Sequence, residues 1–324
     1  MGKRYDFEAH VYIPEFTGKF NAEEIRKANE KLPPEEQIKI LDDIIDLDGI
    51  RLERMDKYGI DVQVLSFSSG IAKLPPEEAV TMSRLVNNRM YEAMQRHPGR
   101  FTAFAQLPEQ DPQAACAELE RCMKELGFFG WNTFSNFGTK HIDDPEYYPI
   151  FEKAAELGAV IYLHPDFPNA DPRFQGWGRQ LVGGLGYTLD TAITIIRLIC
   201  SGLFDKLPNL KLILGHLGEG IPFYLERIGG KTETPESRLP ALNQEPFTYY
   251  FAHNIWVTNS GNFSVPAYIC ARDVLGADRI LFGSDYPYEF LEEAVPFTNS
   301  LPVSKEEIEG IYSGNALKAF PELG

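Results

Sequence analysis

A carboxylate and an imidazole that could act together stand two residues apart near the start of the chain, at Glu8 and His10. Both lie in segment 5–12, where tyrosine, phenylalanine and valine favour an extended strand. Successive side chains of a strand point to opposite faces, so residues two apart share a face. Glu8 and His10 are therefore predicted to point the same way, as two ligands of one metal ion would. A partly buried carboxylate that a neighbouring histidine satisfies is the alternative interpretation.

Three further reactive residues each end a short apolar segment: His164, His216 and Asp285. Segments that are apolar throughout are typical of parallel strands covered on both faces. Together with Glu8 and His10, His164 at the end of the fifth predicted strand and Asp285 at the end of the eighth supply two imidazoles and two carboxylates, a ligand set that suits Zn²⁺ and also Mn²⁺. The other histidines show no such pattern; they are His97, His141 and His253.

The elements that must position these residues alternate between strands and helices along the whole chain, without a linker or a break in composition. Strands are predicted at 5–12, 61–67, 101–107, 128–132, 159–165, 210–216, 255–258 and 279–285. This order predicts a fold of class α/β, a single (β/α)8 TIM barrel over residues 1–324, whose active site lies at the C-terminal ends of the strands. A doubly wound sheet is the alternative, but no Gly-x-Gly-x-x-Gly follows a strand. A long insertion, about 14–47, follows the first strand, and loops of that length usually serve function or an interface.

The charge balance argues against nucleic acid and anionic membranes as partners. The chain has 31 basic and 47 acidic residues and a formal net charge of −16, so phosphate groups would be repelled. No apolar run is expected to span a bilayer, and the N-terminus lacks the apolar segment of a signal peptide. The four cysteines show no Cys-x-x-Cys spacing and are predicted to be reduced thiols in a cytoplasmic protein; they are Cys116, Cys122, Cys200 and Cys270.

Several stretches together carry a resemblance to a known family. They are Glu8-Ala9-His10 with Ile13-Pro14-Glu15, Tyr162-Leu163-His164-Pro165, Ser201-Gly202-Leu203-Phe204-Asp205, Leu214-Gly215-His216-Leu217-Gly218-Glu219-Gly220, Ser260-Gly261-Asn262-Phe263, and Gly276-Ala277-Asp278-Arg279-Ile280-Leu281-Phe282. In these stretches the chain resembles the metal-dependent, non-oxidative decarboxylases of the amidohydrolase superfamily, which include aminocarboxymuconate-semialdehyde decarboxylase. Glu8 stands where many relatives have histidine, and this points to the hydroxybenzoate branch, such as gamma-resorcylate and 2,3-dihydroxybenzoate decarboxylases.

The resemblance implies a metal site and a catalytic group. One divalent ion, Zn²⁺ or Mn²⁺, would be bound by four residues, which are Glu8, His10, His164 and Asp285. His216 would face the substrate and Glu219 would orient it. Arg227 would hold the substrate or a neighbouring subunit, although Ile228-Gly229 follows it here, where the family has Arg-Ile-Asp. Phe20, in the insertion, would contact the substrate, and the assembly would be a homodimer or homotetramer.

The reaction implied is the loss of CO2 from a small aromatic carboxylate, an ortho-hydroxybenzoate such as a dihydroxybenzoate, to leave a phenol. The metal would chelate the phenolic oxygen and the carboxylate, which offsets the negative charge of the substrate. Asp285 would protonate the ring carbon, and His216 could shuttle or orient a proton. The alternatives are a hydrolase or hydratase acting on an aromatic-degradation intermediate, and a non-catalytic metal-binding barrel. The missing dinucleotide motif disfavours an oxidoreductase.

Overall fold

Eight parallel strands, hydrogen-bonded in chain order, form a nearly closed barrel in the computed structural model. The structure describes residues 2–17, 43–68, 71–137, 140–166, 176, 181–229 and 242–323. The strands are Tyr5–Val11 (β1), Val62–Phe67 (β2), Phe101–Gln106 (β3), Gly130–Phe134 (β4), the small antiparallel pair Asn136–Phe137 (β5) and Lys140–His141 (β6), Val160–His164 (β7), Leu212–Leu214 (β8), Ile255–Thr258 (β9) and Ile280–Leu281 (β10). The predicted barrel is confirmed, and β5 and β6 lie outside it.

The first and last strands of the barrel meet through backbone hydrogen bonds. Phe7 N donates to Phe282 O at 3.0 Å, and His10 N donates to Tyr286 O at 2.6 Å. Ala9 forms an isolated parallel bridge with Tyr286. β10 is much shorter than the predicted 279–285, and the segment after Leu281 meets β1 only through these isolated contacts.

Helices between the strands cover the outside of the barrel. They are Pro14–Thr17 (α1), Ile50–Tyr58 (α2), Pro76–Arg96 (α3), Pro112–Lys124 (α4), Tyr148–Leu157 (α5), Tyr187–Cys200 (α6), Leu203–Lys206 (α7), Ile221–Gly229 (α8), Phe247–His253 (α9), Val265–Leu275 (α10), Leu291–Asn299 (α11), Lys305–Glu309 (α12) and Asn315–Ala319 (α13). In α3, the side chains of Met82, Val86 and Met90 recur every four residues and are buried, as expected of a helix with one face on the core.

N-terminal capping residues explain where several helices start. The Asp111 carboxylate accepts from Ala114 N at 3.1 Å, and Ser304 Oγ accepts from Glu307 N at 3.2 Å, as their sequence positions predict. At the start of α2, Asp46 accepts the backbone N–H groups of Gly49 and Arg51, whereas Asp48, nearer in sequence, pairs with Arg96.

The apolar residues of the strands divide between two layers. Alternate side chains of nearly every strand fill the barrel interior, among them Phe7, Phe104, Tyr162, Ile213 and Trp256, and Phe129 and Phe320 from outside the strands join this cluster. The other side chains of the same strands pack beneath the helices. The interior layer closes the barrel below its C-terminal end, so the polar residues above it stand on a packed floor.

The cysteines and the apolar helices bear on two predictions about the environment of the protein. All four cysteines lie in helices and are free thiols, as predicted. The prediction that no apolar run reaches membrane-spanning length is wrong. A π-helical turn at Val182–Gly186 continues into α6, and Val182–Cys200 is long and apolar enough to cross a bilayer by length and composition alone. Core helices of soluble proteins pass the same test.

Candidate metal and substrate site

Five predicted side chains meet at the C-terminal ends of the strands: Glu8, His10, His164, His216 and Asp285. Glu8 Oε1 lies centrally, 4.0 Å from His10 Nε2, 3.9 Å from His164 Nδ1 and 3.8 Å from His216 Nε2. Asp285, beyond the end of β10, closes the group. Its Oδ1 lies 2.9 Å from His10 Nε2, and its Oδ2 lies 3.6 Å from His216 Nε2.

The spacing and chemistry of these atoms fit a divalent cation. The ligand atoms of Glu8, His10 and His164 lie within 4.8 Å of one another, and so do those of Glu8, His216 and Asp285. Ligands about 2.0–2.2 Å from a metal ion are necessarily a few ångströms apart, as here. Burial and the neighbouring His10 hold the pKa of His164 well below its ordinary value, so the ring is neutral and has a lone pair to offer. Mixed oxygen and nitrogen donors suit both Zn²⁺ and Mn²⁺.

Glu8 is fully enclosed by small and polar groups. Thr258 Oγ1 donates to Glu8 Oε2 at 2.9 Å, and Thr258 is itself within hydrogen-bond distance of Ser260 Oγ. A side chain at Gly283 would bring its Cβ to 2.8 Å from Thr258 Cβ and 3.2 Å from Glu8 Cβ, so only glycine fits. Burial raises the pKa of Glu8, while the adjacent His216 partly offsets this rise and Asp285 adds to it. A bound cation would stabilise this buried carboxylate.

His216 is held by a tight left-handed turn that follows β8. The φ angles are 52° at His216, 57° at Leu217 and 55° at Glu219, in the region that L-residues other than glycine seldom adopt. Each such residue costs about 1–2 kcal/mol. The turn places Glu219 Oε1 2.8 Å from His216 Nδ1. Close approach also explains Gly261, whose Cβ would lie 2.9 Å from His216 Cδ2.

The charges of His216 and Asp285 are set by their neighbours. Burial lowers the pKa of His216, but the carboxylates of Glu219 and Glu8 more than offset this and hold it well above its ordinary value. Burial raises the pKa of Asp285, but hydrogen bonds from His10 and His216 hold it well below its ordinary value. Asp285 is therefore an ionised carboxylate, and it must gain a proton before it can act as an acid.

Two aromatic residues that were not predicted from the sequence as site residues border the site. The Tyr162 ring stacks on His164 with a centroid separation of 4.2 Å. The Tyr288 ring meets His10 edge-on at 5.2 Å, and its hydroxyl lies 2.6 Å from Ser68 Oγ. Alternation along β7 already places Tyr162 and His164 on one face, so the sequence contained a signal for Tyr162. Tyr288 follows Pro287 in a turn whose path the sequence does not reveal.

The two predicted substrate-binding residues are not brought to this centre in the described part of the chain. Arg227 is exposed on α8. Among the described residues, no hydrogen bond or ion pair joins it to the five site residues. Phe20 lies outside the described residues, as does most of the predicted 14–47 insertion. Phe16, at its start, packs edge-on against Phe67 with a centroid separation of 4.8 Å.

Comparison with known proteins identifies the family. The amidohydrolase family model matches residues 6–321, which is nearly the whole chain. The chain belongs to the amidohydrolase family. It is 36% identical over 289 residues to gamma-resorcylate decarboxylase from Rhizobium radiobacter, with 86% of this chain and 88% of that protein covered.

Two solved structures within this family are similar in both fold and sequence. One is 2,6-dihydroxybenzoate decarboxylase complexed with 2,6-dihydroxybenzoate, with a TM-score of 0.89, 32% identity, and coverage of 99% of this chain and 100% of that chain. The other is a dihydroxybenzoic acid decarboxylase from Polaromonas sp. with bound manganese and the inhibitor 2-nitroresorcinol, with a TM-score of 0.85 and 31% identity. The alignment covers 99% of this chain and 97% of that chain. This chain therefore belongs among the decarboxylases of the family.

Proposed function

We propose that this protein is a metal-dependent decarboxylase that removes the carboxyl group of an ortho-hydroxybenzoate as CO2 and leaves a phenol. The observation that carries the proposal is the group of two carboxylates and three imidazoles at the C-terminal end of the barrel. Similarity to gamma-resorcylate and 2,6-dihydroxybenzoate decarboxylases supports a dihydroxybenzoate as the substrate class. A hydrolase or hydratase is less well supported.

The proposed cofactor is one divalent cation, Zn²⁺ or Mn²⁺, held by Glu8, His10, His164 and Asp285. The manganese in the Polaromonas relative supports this assignment. When bound, such a cation would hold the phenolic oxygen and carboxylate of the substrate in place and offset their charge. This local positive charge is how a protein with a net charge of −16 could bind an anion.

The protein's own residues would then manage one proton. The ring carbon gains a proton, and the bond to its carboxylate breaks so that CO2 leaves while the electron pair stays in the ring. Asp285 is the proposed donor and would first take a proton from the substrate phenol or from solvent. Glu219 would orient His216 through its bond to Nδ1, which leaves Nε2 facing Asp285 at 3.6 Å. His216 is the alternative donor.

The Asp285→Asn variant separates metal binding from proton donation. Asparagine can still offer an oxygen to the metal but cannot deliver a proton to the ring carbon. With metal supplied, we expect the variant to bind substrate and to lose at least about 10²- to 10⁴-fold in kcat, the usual contribution of a general acid. In D2O, the wild-type enzyme should place one deuterium on the carbon that lost its carboxylate.

Metal analysis and CO2 detection make this test decisive. Substantial activity in an Asp285→Asn protein that carries metal would remove Asp285 from the acid role and leave His216. Failure of the wild-type protein to release CO2 from any dihydroxybenzoate would contradict the proposed reaction and favour the hydrolase or hydratase.

We further propose that the protein forms a homodimer or homotetramer and works in the cytoplasm. An exposed apolar face supports self-association; it comprises Leu181, Leu185, Leu189 and Ile193, each between 36% and 49% exposed. Phe223, 77% exposed on α8, is a further apolar side chain that a neighbouring subunit could cover.

The free thiols support the proposed cytoplasmic location. Arg227, on the same helix as Phe223, would bind the substrate or that subunit, and Phe20 and the 14–47 insertion would shape the substrate pocket.

A further inference from the structure

A second carboxylate of β1, Asp6, is completely buried just below the site and accepts four hydrogen bonds. Its Oδ1 accepts from Ser284 N at 2.8 Å and from Glu8 N at 3.2 Å. Its Oδ2 accepts from Ser284 Oγ at 2.6 Å and from Gln63 Nε2 at 2.9 Å. Four donors are enough to satisfy a carboxylate without solvent.

A buried cation faces Asp6 through the side chain of Gln63. Gln63 Oε1 accepts from Arg51 Nη1 at 3.1 Å, while Arg51 Nη2 donates to His10 O at 2.8 Å. Arg51 also lies over the ring of Tyr286, 4.5 Å from its centroid. Asp6, Gln63 and Arg51 have no exposed surface. A buried charge is costly unless it is hydrogen-bonded, and these contacts supply hydrogen bonds to both charges, with Gln63 between them.

The groups that Asp6 binds carry two of the proposed metal ligands. Glu8 lies where the register of β1 against β2 shifts, between Asp6 and Ala9, and such irregularities re-aim side chains near active sites. Ser284 immediately precedes Asp285, whose φ of 63° is unfavourable for aspartate. Ser284 Oγ also accepts from Tyr286 N at 3.2 Å, so the backbone is held on both sides of Asp285.

We infer that Asp6 is a positioning residue, which joins the backbone of Glu8 to Ser284, the residue before Asp285, and so sets the separation of the two carboxylates proposed to bind the divalent cation. The inference rests on the proposed metal site and deepens it. Partners that orient metal ligands typically contribute a 10- to 100-fold factor in metal affinity. Asp6 touches none of the proposed reacting atoms, so its effect must act through the ligands.

The test is the affinity of metal-free protein for Mn²⁺, measured by calorimetry, together with the electron paramagnetic resonance spectrum of the bound ion. Asp6→Asn keeps the shape of the side chain but turns an N–H group towards neighbours that are themselves donors. We expect it to weaken Mn²⁺ binding by about 10- to 100-fold and to change the spectrum. Ser284→Ala removes one of the four hydrogen bonds and should have a smaller effect in the same direction.

A matched control distinguishes positioning from general destabilisation. Glu109 is also a completely buried carboxylate, and it accepts from Trp131 Nε1 at 3.3 Å. Among the described residues no hydrogen bond or ion pair joins Glu109 to the five site residues, so Glu109→Gln should keep wild-type Mn²⁺ affinity. Wild-type affinity and spectrum in folded Asp6→Asn would overturn the inference, and Ser284→Ala decides in the same way if Asp6→Asn does not fold. Failure of the wild type to bind Mn²⁺ would instead overturn the proposed metal site.

Discussion

The bond between Glu219 and His216 allows the effect of one substitution to be estimated. The Glu219 side chain is buried, and its Oε1 accepts from His216 Nδ1 at 2.8 Å. Glu219→Gln keeps the volume and an acceptor oxygen but removes the charge. A hydrogen bond to a charged group contributes roughly 1.5–3 kcal/mol, and each 1.4 kcal/mol is a factor of ten, so we expect kcat/KM to fall by about 10- to 100-fold.

The same substitution should change the dependence of activity on pH. The Glu219 carboxylate favours the protonated form of His216 and so raises the pKa of that ring. Without that charge the pKa falls, and His216 loses its proton at a lower pH. Activity that needs protonated His216 should therefore decline earlier as pH rises, which moves the alkaline limb of the kcat/KM profile to lower pH.

The assay is CO2 release from a dihydroxybenzoate from about pH 5 to 9, with metal content measured for each protein. Glu226→Gln is the matched control, because Glu226 is exposed on the adjacent helix α8 and should behave as wild type. If Glu219→Gln keeps the wild-type kcat/KM and the same alkaline limb, Glu219 does not act through His216.

Two other predictions concern stability and assembly. Burial raises the pKa of Glu109 from 4.5 to about 8, so the folded protein retains a proton there that the unfolded chain releases. This retained proton stabilises the folded protein by at most about 5 kcal/mol. The stabilisation is fully present below about pH 4.5 and is lost as the pH rises through about 8. In urea denaturation, the free energy of unfolding should fall less between about pH 6 and 9 for Glu109→Gln than for wild type. An equal fall in both proteins would contradict this prediction. Leu185→Glu with Leu189→Glu places charge on the exposed face of α6 and its preceding turn, so light scattering should show a smaller assembly. An unchanged mass would exclude this face from the subunit contact.

The barrel could be predicted from the sequence because buried parallel strands leave a strong signal. Runs such as 159–163 and 212–215 are apolar, and the reactive residue that follows each run identifies the active face. The period of two placed Glu8 beside His10 by the same reasoning. Strict alternation would also place Asp6 on that face, but the register shift between Asp6 and Ala9 interrupts it, so only the hydrogen bonds reveal the importance of Asp6.

What could not be predicted depends on contacts between distant parts of the chain. The positive φ angles at Leu217 and Asp285 are not conformations that these residue types favour, and the surrounding structure imposes them. For the same reason, sequence spacing could not show that Asp46, and not Asp48, accepts the first N–H groups of α2.

The meeting of β1 with the segment after β10 has a consequence for how the protein is made. Glu8 and Asp285 lie on opposite sides of that seam, nearly the whole chain apart in sequence. Contacts between such distant segments carry a large entropic cost of loop closure and form slowly. A growing chain therefore cannot form the proposed metal site until its last strand has been synthesised and the barrel has closed. A cation that binds only the closed form adds about 2.7 kcal/mol to the free energy of unfolding when it is present at 100 times its Kd. Bound metal would therefore stabilise the contact between the first strand and the segment after the last one.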